Sequence, residues 1–351
     1  MATPQSLAAR HYRRQQLAVR QTVRQVQQLW RQVDTAAIGA SWAALAPRAA
    51  NSLTFGQLLA AAGAASYIAA QTRTQGADVA DLPDPAAFAG ATAEGIAIET
   101  AMGSLVASAG QAITAGAPPR EALLSTGLRL STLVANEVQQ AGNNATHVGI
   151  TAQPALRGYV RMLQTPSCPR CIILAGRVYK WSRGFQRHPR CDCVHVPYAD
   201  AANVSDIRTD PTGYFDSLTV EEQDRIFGKA NAQAIRDGAD MNQVVNISRK
   251  GSLYSFDVAD GTRLQATREG TTIRQGRAGR LLANRDRIIP EAFQRASVAR
   301  LTPRAIYQLA GDDRDLARSL LSRYGYVRAD WSPDFRRTSR SLLRDLGYPI
   351  W

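Results

Sequence analysis

The feature that most constrains this chain is a cluster of metal-type ligands. All four of its cysteines fall between positions 168 and 193, in the order Cys168-x2-Cys171-x16-His188-x2-Cys191-x-Cys193. Cysteines used as small core residues scatter along a chain, and these do not. Cys168 and Cys171 bracket Pro169-Arg170, the spacing that lets two thiolates point at one ion from a tight turn. The second group follows a sixteen-residue excursion, which suits a hairpin returning to the first. On a strand, Cys191 and Cys193 point to the same face, so both reach one ion. Alternatively His188 completes the set and one of that pair stays a thiol. Five residues thus compete for the four positions of a tetrahedral zinc. A pair of disulfides and reduced, metal-free packing are the other arrangements open to these residues, and a reducing cytosol disfavours the disulfides. Catalytic zinc needs an open coordination position and a nearby acid or base. A cysteine-rich, fully ligated set leaves none, and Asp192, the carboxylate between the ligands, has no partner to tune it. The cluster is read as a structural zinc knuckle.

Charge is the second constraint. The chain carries a formal net charge of +13, which favours a polyanionic partner such as nucleic acid, an anionic membrane surface or an acidic protein. The basic residues are spread along the chain, which suits proximity to DNA better than sequence-specific reading. Arg157, Arg161, Arg170, Arg177, Lys180, Arg183, Arg187 and Arg190 surround the knuckle, interleaved with Tyr179, Trp181 and Phe185. That neighbourhood is read either as a nucleic-acid contact or as a solvated rim around a small core. The N-terminus lacks the apolar core of a secretory signal. The longest apolar stretch, Leu58 to Ala70, is short and alanine-rich for a membrane span. A soluble protein made in the cytoplasm, without a membrane partner, is expected.

The organisation reads as α+β. Residues 1–142 are expected to be helical. Val19, Val23, Val26, Trp30 and Val33 form a narrow seam on a helix over 10–34, with Arg13, Arg20, Arg24 and Arg31 off it. That seam serves either an intramolecular helix pair or a docking partner. Further helices are expected near 55–73, 86–114 and 120–141, separated by turn signals. Gly142-Asn143-Asn144 marks a boundary before a small α+β knuckle domain over 143–200, with short strands at 159–163, 177–179 and 193–197. A mixed helical and hairpin region follows over 201–351. In it, Thr219 and Glu222 make a capping box, Gly228 and Gly238 stop helices, and residues 250–275 form a β-hairpin or meander. Thr302-Pro303 opens a helix, and Gly311-Asp312-Asp313 separates it from a second whose buried face is Leu316, Leu320, Leu321 and Tyr324. Asp315 near the start of that second helix argues against a base-reading helix-turn-helix.

The segment from the first cysteine pair through Leu174-Ala175-Gly176-Arg177-Val178-Tyr179 to His188-Pro189-Arg190-Cys191-Asp192-Cys193-Val194 resembles the MuF-like minor head proteins of tailed bacteriophages. The match covers about residues 155–198. A softer likeness to head proteins of actinobacterial phages extends to Ser217–Arg225 and Ala266–Thr272, and the heavy use of arginine over lysine fits such a host. Thr165-Pro166-Ser167 departs from the charged residue that many relatives carry before the first cysteine. The resemblance implies a minor capsid protein acting in head assembly, DNA packaging or delivery, within the virion head near the portal. Its partners would be the portal protein, the major capsid or scaffold protein, and packaged DNA by non-specific contacts. It also implies that Cys168, Cys171, His188, Cys191 and Cys193 are the fold-holding set, with structural zinc as the cofactor. Two other functions compete. One is a capsid maturation protease or C-terminal effector enzyme, although no GxSxG, HExxH or Walker loop is present and no nucleophile motif contains His11 or His147. The other is a non-specific DNA-binding protein.

Overall fold

The computed structural model describes residues 2–165, 167–184, 193–200, 204–248, 251–258, 261–269 and 295–327. The fold is α+β, and the chain divides into two compact units. The first comprises residues 1–167 and 174–210, and the second 168–173 and 211–351.

Three long helices frame the first unit: α1 (Pro4–Trp30), α2 (Ile38–Thr74) and α4 (Pro119–Ala152), with the shorter α3 (Ile98–Thr114) beside α2 and α4. Thr3 caps α1 by accepting the Ser6 N–H at 3.2 Å, and Pro4 stands where no intrahelical N–H is needed. α1 therefore starts six residues before the expected position. Its seam is intramolecular: Val19, Val26 and Leu29 are buried in one core with Leu53, Met102, Leu130, Val134 and Val138. Toward the N-terminus the same stripe becomes polar, through Gln15 and His11. Gln15 donates to the Gln139 carbonyl at 3.0 Å, and Trp30 Nε1 to the Leu123 carbonyl at 3.1 Å, so α1 runs antiparallel to α4.

Two expectations fail here for stated reasons. α4 does not stop at Gly142-Asn143-Asn144 but runs ten residues beyond Gly142. Gly142 is a packing residue: a Cβ there would lie 2.5 Å from Gln15 Nε2 and 3.2 Å from Ala60 Cβ. The helix expected over 86–114 is only α3 preceded by a 3-10 turn (Pro85–Phe88), because Gly90 and Gly95 adopt φ of 89° and 80°. Gln57, buried in α2, holds this loop by donating to Ala91 O at 2.8 Å and accepting from Gly90 N at 3.0 Å. α2 itself is long and apolar enough to cross a membrane by length and composition over its most apolar 18-residue window. Half of that window is buried, and its inner face includes Gln57, Gln71 and Thr72. It is the core helix of this bundle.

A three-stranded antiparallel sheet in the order β2-β1-β3 completes the unit, formed by β1 (Gly158–Met162), β2 (Val178–Lys180) and β3 (Val194–Tyr198). β1 and β3 are wholly buried, whereas β2 is an exposed edge. Tyr159, Val160, Val194 and Val196 pack with Ala8 of α1, Tyr67 and Ile68 of α2 and Ile150 of α4. Between β1 and β2 lies the short α5 (Pro169–Leu174), and β3 is followed by α6 (Val204–Ile207).

The second unit contains α7 (Pro211–Asp216), α8 (Val220–Phe227), α9 (Lys229–Arg236) and α10 (Met241–Asn246). The antiparallel sheet β4-β5-β6 follows, of Leu253–Asp257, Arg263–Glu269 and Arg295–Leu301, and then α11 (Pro303–Ala310) and α12 (Arg314–Arg323). The capping box forms as expected, Glu222 N–H donating to Thr219 Oγ1 at 3.2 Å and Thr219 N–H to Glu222 Oε2 at 2.9 Å. The strands form a three-stranded meander whose third member, β6, lies beyond the expected 250–275. Leu264, Ala266, Leu301, Ile306, Leu320, Leu321 and Tyr326 form the core. Leu316 and Tyr324 are half-buried against it. The Arg300 guanidinium lies 4.6 Å from the Tyr326 ring centre and donates from Nε to the Tyr324 carbonyl at 2.9 Å.

Candidate functional site

The first cysteine pair is built by α5. The Ile172 N–H donates to the Cys168 carbonyl at 3.1 Å, closing one helical turn. Pro169 fits the first helical position, where its missing N–H costs nothing. The Cys171 N–H points at Cys168 Sγ, 3.4 Å away, so the two residues share one turn. Cys168 is half-buried, and Cys171 is 1% exposed. Cys193 is buried immediately ahead of β3. No disulfide joins these three. His188 and Cys191 lie outside the described residues, as do Arg187, Arg190, Phe185 and Asp192. Among the described residues, no group of three or more His, Cys, Asp or Glu side chains gathers around a metal-sized space.

The segment that joins α5 to β2 explains the Leu-Ala-Gly-Arg-Val-Tyr run. Gly176 has φ +68°, and a Cβ there would collide with the Thr209 carbonyl oxygen. Its N–H donates to the Arg161 carbonyl at 2.8 Å, and its own carbonyl accepts Arg208 Nε at 3.0 Å. The Arg161 N–H in turn donates to the Arg177 carbonyl at 2.9 Å. A left-handed glycine therefore turns the chain onto the edge of β1.

The basic rim is partly as expected. Arg157, Arg170, Arg177, Lys180 and Arg183 are exposed, and Trp181 keeps 47% of its surface in solvent. Arg161 differs: at 1% exposure it belongs to the sheet core, opposite His195 in the β1–β3 register.

Sequence reasoning missed a cluster of histidine and tyrosine side chains that joins the helices of this unit to its sheet. The Tyr159 ring lies 4.5 Å from His195 edge-to-face, 5.9 Å from His147 and 5.2 Å from Tyr179, on which it stacks. His147 and His195 have ring centres 6.0 Å apart. The Tyr67 hydroxyl donates to the His195 carbonyl at 2.7 Å and accepts Gln71 Nε2 at 3.0 Å, and His11 stacks on Tyr67 at 4.4 Å. Burial pushes the Tyr67 phenol well above its usual range, so it serves as a neutral donor. These contacts bind the sheet to the ends of α1, α2 and α4. The signal was faint, since the residues lie on six elements, α1, α2, α4 and the three strands, and come together only in the fold.

A cavity of about 170 Å³ opens between α2, α4 and the 85–93 loop, lined by Gln57, Phe88, Thr92, Glu137 and Asn144 among others. Glu137 accepts the Ala93 N–H at 2.7 Å, and burial raises its carboxyl above the ordinary value, with Glu94 adding to the effect.

Comparison with known proteins gives one family. The family model described as VG15 protein matches residues 1–218, which span the whole helical bundle, the β2-β1-β3 sheet and the cysteine segment. No curated protein and no solved structure matches the chain.

Proposed function

The chain belongs to the VG15 protein family, and for this member we propose a structural role: a minor capsid protein of a tailed bacteriophage, associated with the portal and acting in head assembly or DNA packaging and delivery. The observation that carries this reading is the segment 155–198. There a cysteine pair, the run Leu174-x-Gly176-x-x-Tyr179 and an HPxCxC run occur together, as in MuF-like minor head proteins. The positive-φ turn at Gly176 supports it by giving the central glycine of that motif a structural reason.

Zinc is the proposed cofactor. Four of the five residues Cys168, Cys171, His188, Cys191 and Cys193 would hold it. The Cys171 N–H directed at Cys168 Sγ, which places both residues on one turn, fits such a site. The ion would supply a tetrahedral cross-link and no reaction step.

Purified virions provide the test. The protein is expected in them at low copy number and in chemical cross-links to the portal. Its absence from virions sinks the reading, and an uncleaved capsid or scaffold protein after gene inactivation points instead to a protease. Metal content is read separately on the reduced, purified protein. Less than about half an equivalent of zinc overturns the structural-zinc assignment.

A further inference from the structure

The exposed face of α1 is unusual in its charge. The helix Pro4–Trp30 contains Arg10, Arg13, Arg14, Arg20 and Arg24 and not one aspartate or glutamate. All five arginines are exposed, as is Arg31, which follows directly. At ~100° per residue they fall within about a third of the helix circumference, opposite the stripe Ala8, His11, Gln15, Val19, Thr22 and Val26 that faces the bundle. The intervening exposed positions are Gln21, Gln25 and Gln28, with Leu17 the one apolar residue among them. Among the described residues, none of these arginines forms an ion pair. From Arg10 to Arg31 the row extends roughly 30 Å at ~1.5 Å per residue.

We propose that this face of α1 is a binding surface for the phosphate backbone of duplex DNA, read without sequence specificity. Five unpaired guanidiniums along a rigid rod form a linear array of positive charge, and B-DNA presents about one negative charge per ~1.7 Å of its axis. Arginine and glutamine are donors that phosphate oxygens accept, and guanidinium matches phosphate bidentately. Three alternative occupants fit less well. A membrane-surface helix needs a free apolar face, and the apolar face of α1 is buried against α2 and α4. A protein partner needs a central apolar or aromatic anchor, and this row offers only Leu17. Single-stranded nucleic acid needs exposed aromatics for stacking, and the exposed arc has none. This inference rests on the geometry of α1 and stands apart from the virion assignment.

The test is fluorescence anisotropy of the full-length protein on a ~30-base-pair duplex of arbitrary sequence, titrated over a range of salt. The variant carries Arg→Gln at positions 10, 13, 14, 20 and 24, keeping good helix formers at exposed sites. A control carries Arg→Gln at 48, 73, 120, 225 and 318, all exposed and none on α1, so that net charge is matched. The α1 variant is expected to lose at least roughly 30-fold in affinity, and the slope of log K against log salt should flatten by about 3–4. The control should lose less than about threefold. The smaller variant Arg13, Arg20 and Arg24→Gln should show the same effects in part, with circular dichroism unchanged for both. Equal losses in the α1 variant and the control overturn the proposal, because they mean diffuse charge. Unchanged DNA binding with lost binding to phosphatidylserine vesicles or to an acidic polypeptide overturns it in favour of those occupants.

Discussion

Gly176 shows what one residue does for the candidate site. Its φ of +68° is one that side chains with a Cβ adopt only under strain, and the Thr209 carbonyl occupies the place a Cβ would take. Gly176→Ala is expected to cost about 2–3 kcal/mol, combining the left-handed strain with backbone displacement. Denaturant unfolding followed by far-ultraviolet dichroism checks this, and a loss below about 0.5 kcal/mol would show that the turn is not fixed as described. Such residues were readable in the sequence as motif positions but not as geometry. Gly176 was visible only as one position of the Leu174–Tyr179 run that carries the family resemblance. Arg161 was not visible: an arginine beside other arginines reads as surface, yet it is 1% exposed. Only the register that sets it opposite His195 reveals it as a core residue.

At the scale of elements, α4 is where local signals misled most. Gly142-Asn143-Asn144 has the composition of a turn, and Gly costs about 1 kcal/mol relative to Ala inside a helix. The helix continues because Gly142 allows the backbone of α4 to approach Ala60 of α2 and the Gln15 side chain of α1, gaining burial over more than two further turns. Tertiary packing outweighs propensity here, and no single-helix pattern discloses that. Gly142→Val tests the point. A branched side chain directed at Ala60 Cβ and O is expected to destabilise by about 2–3 kcal/mol through overpacking. A flexible loop at 142 would tolerate the substitution with no measurable change in thermal unfolding. Where local chemistry alone decides, the sequence sufficed. The Thr219–Glu222 box, the Thr302-Pro303 start and the break before α12 all form where their residues predict. β6 was missed because its partner strand lies far off in the chain and supplies the hydrogen bonds.

For the whole molecule, the cysteine segment has a topological position that spacing alone did not convey. The chain leaves the first unit at Cys168 and returns at Leu174, so the turn bearing Cys171, Ile172 and Ile173 belongs with residues 211–351. Those three residues are buried, at 1%, 0% and 7% exposure. From sequence the knuckle belongs to one small domain over 143–200; with its first turn grouped with residues 211–351, that turn is expected to need the C-terminal unit for its order. The consequence is measurable by hydrogen exchange. In full-length protein the amides of 171–173 should be protected. In a 1–210 fragment they should exchange at least ~100-fold faster while the amides of α1, α2 and α4 stay protected by their own core. Equal protection in both would mean that zinc or the first unit alone orders the turn. Repeating the exchange with a chelator separates those two cases, since metal that orders an otherwise uncovered turn is lost on chelation and packing is not.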